Sequence, residues 1–330
     1  MKKPTTLQEA IRYFSDEQVC IDTVAALRWP DGKPACPACE KTGAYWLASQ
    51  KRWKCKECWK QFSVKLGTIF EDSAIPLCKW LVALWMIVNC RNGISSYEVA
   101  RDLGVTQKSA WFMLHRLRLA LKSGMTEKFG QSGGTVEADE TFVGANTQKM
   151  HKSRRAKMQA IASNTYGMNR HAIGKTIVMG MLDRDLRKVR ATVIPNVKRA
   201  TLQEQILKHV AGGARVITDD ATGYRYAVSE GFAHEIINHA QEYVRDQVHT
   251  QGIENFWSLL KRGLRGTYVA VEPYHLERYV DEQVFRYNTR KRDDDKKITD
   301  AERFEMALSQ VAGKRLTFAE VTGKVGATCF

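Results

Sequence analysis

Thr135-Val-Glu-Ala-Asp-Glu-Thr-Phe-Val143 is short, β-branched and carries three carboxylates, so it reads as a strand with acidic side chains built into it. Strand alternation puts Glu137 and Asp139 on one face and Glu140 on the other, so spacing alone does not choose among them. Similar short strands follow at residues 176–182, 189–194 and 214–218, the last running into Asp219. Helical patterns lie near 200–210, 250–264 and 274–290. The order strand-strand-strand-helix-strand-helix predicts a mixed α/β domain around a central sheet. Glu254 lies early in the helix Gly252-Ile-Glu-Asn-Phe-Trp-Ser-Leu-Leu-Lys261, at the edge of an apolar face of Ile253, Phe256, Trp257, Leu260 and Leu264.

Asp139, Asp219 and Glu254 therefore stand out as two strand carboxylates and one helix carboxylate. Cutting a phosphodiester needs a deprotonated nucleophile and a stabilised leaving oxygen. Two divalent ions roughly 3.5–4 Å apart, clamped by carboxylates, meet both needs. Hard oxygen ligands select Mg²⁺ or Mn²⁺ over zinc. Most acidic residues are solvated surface groups, and Glu137, Glu140 and Asp220 compete for the same roles.

Upstream of the strands, a Gly130-Gln-Ser-Gly133-Gly134 linker closes a different front end. Ser95-Ser-Tyr-Glu98 is a capping box, Gly104 ends that helix, and Thr106 caps the next. The second helix carries Trp111, Leu114, Leu117 and Leu121 inward. Two helices about a glycine turn fit a helix-turn-helix, with Gln107, Lys108 and Ser109 placed for bases and Arg116 and Arg118 for phosphate. A plain packing hairpin is the alternative. Before it, residues 76–90 form an apolar helix opened by Pro76.

Cys36-Pro-Ala-Cys39 and Cys55-Lys-Glu-Cys58, separated by residues 40–54, have the spacing of a four-thiolate zinc ribbon. Tyr45, Trp46 and Trp53 make its hairpin, and Trp59 and Phe62 continue the strand of the second knuckle. Lys51, Arg52, Lys54, Lys56 and Lys60 give it a phosphate-facing surface. Residues 7–28 read as a helical lead-in with Leu7, Ile11, Phe14 and Val19 on one face.

Charge points the same way. Among 330 residues, 51 Lys plus Arg outweigh 36 Asp plus Glu, leaving +15, so the expected partner is a polyanion. The N-terminus has no apolar signal core, and the run Leu77 to Cys90 is too short to span a bilayer. A cytoplasmic, nucleoid-associated protein without a small-molecule substrate is expected. Between Glu140 and Asp183 the chain has no acidic residue but holds Lys149, Lys152, Arg154, Arg155, Lys157, Arg170 and Lys175. Beside a nuclease centre these basic residues suit a DNA backbone, as do Lys261, Arg262 and Arg265 after Glu254, with His249 as a lesser candidate.

Several blocks in order resemble bacterial insertion-sequence transposases with an N-terminal zinc ribbon and a DDE domain of ribonuclease H-like fold. They are Arg28-Trp-Pro-Asp-Gly32 with the first Cys pair, Gly67-Thr-Ile-Phe70, Ala100 to Arg116, Val136-Glu-Ala-Asp-Glu140, Ile217-Thr-Asp219, His249 to Gly263 and Arg286-Tyr-Asn288. The resemblance implies a mixed five-stranded sheet with flanking helices, its first and fourth strands adjacent, and Asp139, Asp219 and Glu254 as the metal-binding triad. It implies two Mg²⁺ (or Mn²⁺), one structural Zn²⁺, and transposon ends and target DNA as partners, bound by a homo-oligomer. The implied activity frees 3′ ends at terminal inverted repeats and joins the 3′-hydroxyls to target DNA. This chain departs from the pattern at Gly144-Ala145, and Asp220 doubles the second aspartate. The expected division is a lead-in at 1–30, ribbon at 31–70, helix-turn-helix region at 71–129, catalytic domain at 130–292, and a C-terminal helix and tail at 293–330. The rival readings are a catalytically silent DNA-binding regulator and a nuclease of RNA–DNA hybrids or junctions.

Overall fold

The structure is a computed structural model describing residues 3–122, 124–144, 151–153, 156, 174–219, 231–237, 249–292 and 296–323. The chain forms two units: Met1–Lys122 with Asp294–Phe330, and Ser123–Asp293.

The first unit opens with α1 (Leu7–Tyr13) and α2 (Glu17–Arg28). The Asp16 side chain accepts from Gln18 N–H and starts a new helix, so the periodicity read through 7–28 resets there. Ala10, Phe14, Cys20, Ile21 and Val24 are buried, whereas Leu7 and Ile11 point outward, correcting the expected face. The ribbon is an antiparallel sheet of β1 (Tyr45–Leu47), β2 (Arg52–Lys54) and β3 (Gln61–Phe62). Its inner face packs Trp46 tilted against Trp53 at 4.5 Å and Trp29 edge-on to Trp53 at 5.1 Å between ring centres. Trp59 is not in the strand: its φ is 59° and it lies exposed in the turn before β3.

The helix α3 (Leu77–Asn89) follows Pro76 and is buried from Trp80 through Val88, the signature of a central helix. It is followed by α4 (Ser96–Leu103) and α5 (Gln107–Leu121), joined through Gly104 at φ 58°. The Ser95–Glu98 capping box and the Thr106 cap both form. The chain's last segment rejoins this unit, so Phe304 lies 5.4 Å from both Phe14 and Trp85.

In the second unit five strands, β4 (Thr135–Gly144), β5 (Lys175–Asp183), β6 (Lys188–Ile194), β7 (Arg215–Asp219) and β8 (Ala233–Ile237), form one mixed sheet of order β6-β5-β4-β7-β8. Neighbours β4, β5 and β6 run antiparallel, while β4, β7 and β8 run parallel. The first and fourth of these strands, β4 and β7, are therefore neighbours. One face, including Val136, Ala138, Met179 and Val216, packs on Leu202 and Ile206 of α6 (Arg199–His209). The other, with Val178, Leu182 and Val189, packs on α7 (Gln251–Gly263) and α8 (Leu276–Asn288). Asn288 pins the end of α8 to β6 by accepting from Val189 N–H at 2.7 Å and donating to Val189 C=O at 2.8 Å. Among the described residues no helix is long and apolar enough to cross a membrane.

Candidate active site

Strand pairing carries the two aspartates toward one end of the sheet. The parallel register matches Val136 to Val216 and Glu137 to Ile217, and Asp139 and Asp219 each lie two residues beyond that last pair, close enough for the Asp219 charge to act on Asp139. Alternation turns Val136 and Ala138 toward α6, leaving Glu137 and Asp139 facing α7. There the Trp257 indole donates to Asp139 Oδ2 at 2.9 Å, and Glu140 N–H donates to Oδ1 at 2.8 Å. The indole comes this close because β5 has no side chain beneath it: a Cβ on Gly180 would lie 2.6 Å from Trp257. Sequence reasoning assigned Trp257 only to the apolar face; the glycine inside an otherwise bulky strand was the available signal of a close approach.

Glu137, a rival for the triad in the sequence, is fully engaged elsewhere. It is 1% exposed, and its carboxylate accepts from Arg184 Nε at 2.7 Å and from the Ile253 backbone N–H at 2.9 Å. A negative charge at the first turn of α7 suits the positive end of the helix dipole. Gly252 makes room for it, since a Cβ there would meet the Glu137 carboxylate at 2.9 Å. Arg184 also donates to His249 Nδ1 at 3.0 Å, so His249 helps hold the segment that leads into α7. This strand-to-helix clamp fixes the element carrying Glu254, which is exposed in the first turn and accepts from Thr250 Oγ1 at 2.9 Å.

The electrostatics of this face centre on Asp139. Burial, then the charge of Asp219 and more weakly that of Glu254, push its carboxyl up from 3.8 to about 6, against the pull of the Trp257 hydrogen bond. Burial lowers the Lys261 ammonium, Arg265 adds to that, and Asp139 opposes it. Asp139 thus feels both of the other acidic groups, and Lys261, on the helix of Glu254, is close enough to feel Asp139. Asp220 lies outside the described residues.

The cysteine cluster is tighter. Cys36, Cys39, Cys55 and Cys58 bring their sulfurs within 4.8 Å of one another, with Cys36–Cys58 and Cys39–Cys55 each at 3.6 Å. Four thiolates about 2.3 Å from a tetrahedral zinc lie about 3.8 Å apart, so the set fits that ion. Among the described residues this is the one group of three or more metal-ligating side chains that closes within 4.8 Å; the carboxylates are more widely spread.

Residues 131–288 match the ISXO2-like transposase domain and residues 15–61 the transposase zinc-ribbon domain. An uncharacterised transposase-like protein of Haemophilus influenzae is 34% identical over 101 residues, 31% of this chain and 81% of that protein. The chain belongs to the ISXO2-like transposase family. An uncharacterised protein in transposable element ISH50 of Halobacterium salinarum is 24% identical to this transposase over 77% of its chain and 85% of the relative. A simian T-cell lymphotropic virus intasome, in complex with a PP2A regulatory subunit, covers 56% of the transposase and 63% of the solved chain. At 13% identity and a TM-score of 0.26, it bears on nothing that follows.

The transposase distributes its expected DNA-facing residues unevenly. Lys108, Lys152, Arg262 and Arg265 are exposed, Ser109 and Lys261 half-buried. Gln107 is half-buried and donates to Ser96 Oγ at 2.8 Å, tying α5 to α4. Arg116 and Arg118, expected on phosphate, are only 4% and 1% exposed, and the burial corrects that expectation. Arg116 donates to Leu316 C=O at 2.9 Å with its guanidinium over Phe112, so it ties the C-terminal segment to α5. Lys149, Arg154, Arg155, Lys157 and Arg170 lie outside the described residues.

Proposed function

We propose that this transposase cuts and joins DNA at a centre formed by Asp139, Asp219 and Glu254, which hold two Mg²⁺ or Mn²⁺ ions. What carries the reading is the Asp139 carboxyl, held near 6 by burial and by two acidic neighbours. Such surplus negative charge on adjacent strands is relieved by a cation. Asp139, Asp219 and Glu254 would hold the pair of ions, which such chemistry sets roughly 3.5–4 Å apart. The ions, when bound, supply Lewis acidity to the attacking and leaving oxygens. The strand-pair order of the sheet supports a ribonuclease H-like domain.

Within this reading Trp257 and the Glu140 N–H each occupy one lone pair of Asp139, on different oxygens, and leave the others for metal. The Glu137–Arg184 clamp sets the position of Glu254 by holding the N-terminus of α7. Lys261, Arg262 and Arg265 place positive charge along the same helix, where the scissile strand's phosphates would lie. The helices α4 and α5 act as a helix-turn-helix that reads the element's terminal inverted repeats, with Lys108 and Ser109 leading α5 toward bases. The first step frees a 3′-hydroxyl by hydrolysis at the transposon end, and the second uses that hydroxyl to attack target DNA. Pairing of two ends calls for a homo-oligomer on DNA.

The test is nicking and strand transfer on DNA carrying the element's own ends, with and without Mg²⁺, for wild type and Asp139→Ala. The expected result is Mg²⁺-dependent 3′-end cleavage and joining by wild type, and none by the variant, with DNA binding retained by both. Cleavage surviving in Asp139→Ala overturns the assignment. Wild-type binding without any cleavage points instead to a silent DNA-binding regulator.

A further inference from the structure

The two knuckles of the ribbon share a backbone feature. The residue after each second cysteine, Glu40 and Trp59, has a φ of 59°, the left-handed region that glycine occupies most cheaply. For a bulky aromatic this is an unfavourable site, and such an outlier points toward a use for the side chain. The fold itself makes little use of it: Trp59 is 64% exposed, while Trp29, Trp53 and Phe62 form the buried aromatic cluster.

Register shows what surrounds it. Trp46 pairs with Trp53 and Trp53 with Phe62, which defines the inner face of the small sheet. The alternate pairs, Tyr45 with Lys54 and Lys54 with Gln61, therefore share the outer face. Tyr45 is 37% exposed, and the Lys54 ammonium lies 5.1 Å from the centre of the Trp59 ring. Lys56 and Lys60, on either side of Trp59 in the chain, are exposed as well. An exposed indole with a lysine ammonium over one face and lysines close to it in the chain matches a nucleic-acid strand whose bases are open to stacking on the other face and whose phosphates need neutralising.

We propose that the outer face of the zinc ribbon binds an unpaired DNA segment, with a base stacked on Trp59 and the adjacent phosphates on Lys54, Lys56 and Lys60. This rests on DNA being the partner. A fully paired duplex hides its base faces, so only unpaired DNA uses the ring in this way.

The experiment uses the full-length, zinc-loaded protein. Binding to a labelled single-stranded oligonucleotide, and to a blunt duplex of the same sequence, is measured by fluorescence anisotropy. The proteins are wild type, Trp59→Phe and Trp59→Gly, the last removing the ring at a backbone conformation glycine accepts without strain. Zinc content is measured for each, so that loss of the ribbon is seen separately. The expected result is a loss of about tenfold in single-strand affinity for Trp59→Gly, recovery of most of it by Trp59→Phe, and duplex affinity within about twofold of wild type. An unchanged single-strand affinity in zinc-loaded Trp59→Gly overturns the proposal. So does an equal loss on the duplex, which would make Trp59 a backbone or groove contact. If wild type binds neither DNA, the partner itself is wrong, an outcome distinct from a neutral Trp59.

Discussion

Replacing Asp139 with Asn should stabilise the metal-free protein while removing its response to magnesium. Asn copies the protonated carboxyl in shape and leaves an acceptor for the Trp257 indole, which donates at 2.9 Å in the wild type. The rise of the Asp139 carboxyl from 3.8 to about 6 means that the ionised form is held at a cost in the folded chain. At neutral pH that cost has a ceiling of about 3 kcal/mol, trimmed to about 1–3 kcal/mol by the solvent that reaches this partly buried side chain. For a unit the size of Ser123–Asp293, this corresponds to a gain of about 2–12 °C in melting temperature. The pH dependence follows from the direction of the shift. Below about 4 both folded and unfolded chains are protonated and there is no penalty. Between 4 and about 6 the unfolded chain ionises first, so wild-type stability falls, and above 6 the penalty is complete. Thermal unfolding at pH 7.5 and pH 4.5, with and without Mg²⁺, reads both effects. The variant should melt higher than wild type at pH 7.5 without metal, and the gap should narrow to about a third at pH 4.5. Magnesium at about 100 times its dissociation constant should add about 2.7 kcal/mol to wild type and far less to the variant. A variant that melts below wild type without metal at pH 7.5, or an equal magnesium response in both, refutes the reasoning.

Two further outcomes test the scaffold behind Glu254. Glu137→Gln removes the charge that balances Arg184 and caps α7; a loss of about 3–5 kcal/mol, with faster hydrogen exchange at the Ile253 amide, is expected, and an unchanged melting curve would count against the clamp. Gly180→Ala puts a methyl 2.6 Å from Trp257, so about 1–3 kcal/mol of strain and a sharp fall in nicking rate should appear together; full activity would show that α7 tolerates displacement.

Some parts of this arrangement were legible because they are local. The cysteine spacing, the Ser95–Glu98 box and the β-branched runs of β4 and β7 depend on residues a few positions apart. The adjacency of the first and fourth strands was reached through family resemblance and is seen in the parallel pairing of β4 and β7. What escaped depends on distant partners. Glu137 and Asp139 share a face, and only Arg184 and the start of α7 separate their environments. Arg116 looks like a surface residue on a helix until the C-terminal segment covers it with Leu316. The edge strand β8, Ala233-His-Glu-Ile-Ile237, is short and carries two polar residues, so composition gave it little to declare. In the lead-in, a helix cap at Asp16 broke a pattern that looked continuous.

The return of residues 294–330 to the first unit makes the second unit, Ser123–Asp293, an insertion in sequence. During synthesis the ribbon and α1–α5 emerge first, yet the aromatic site between Phe14 and Trp85 stays open until Phe304 leaves the ribosome. A nascent or prematurely terminated chain therefore exposes apolar surface in its first unit, making fragments prey for chaperones and proteases. Completion of the polypeptide thus acts as a quality gate on which copies survive.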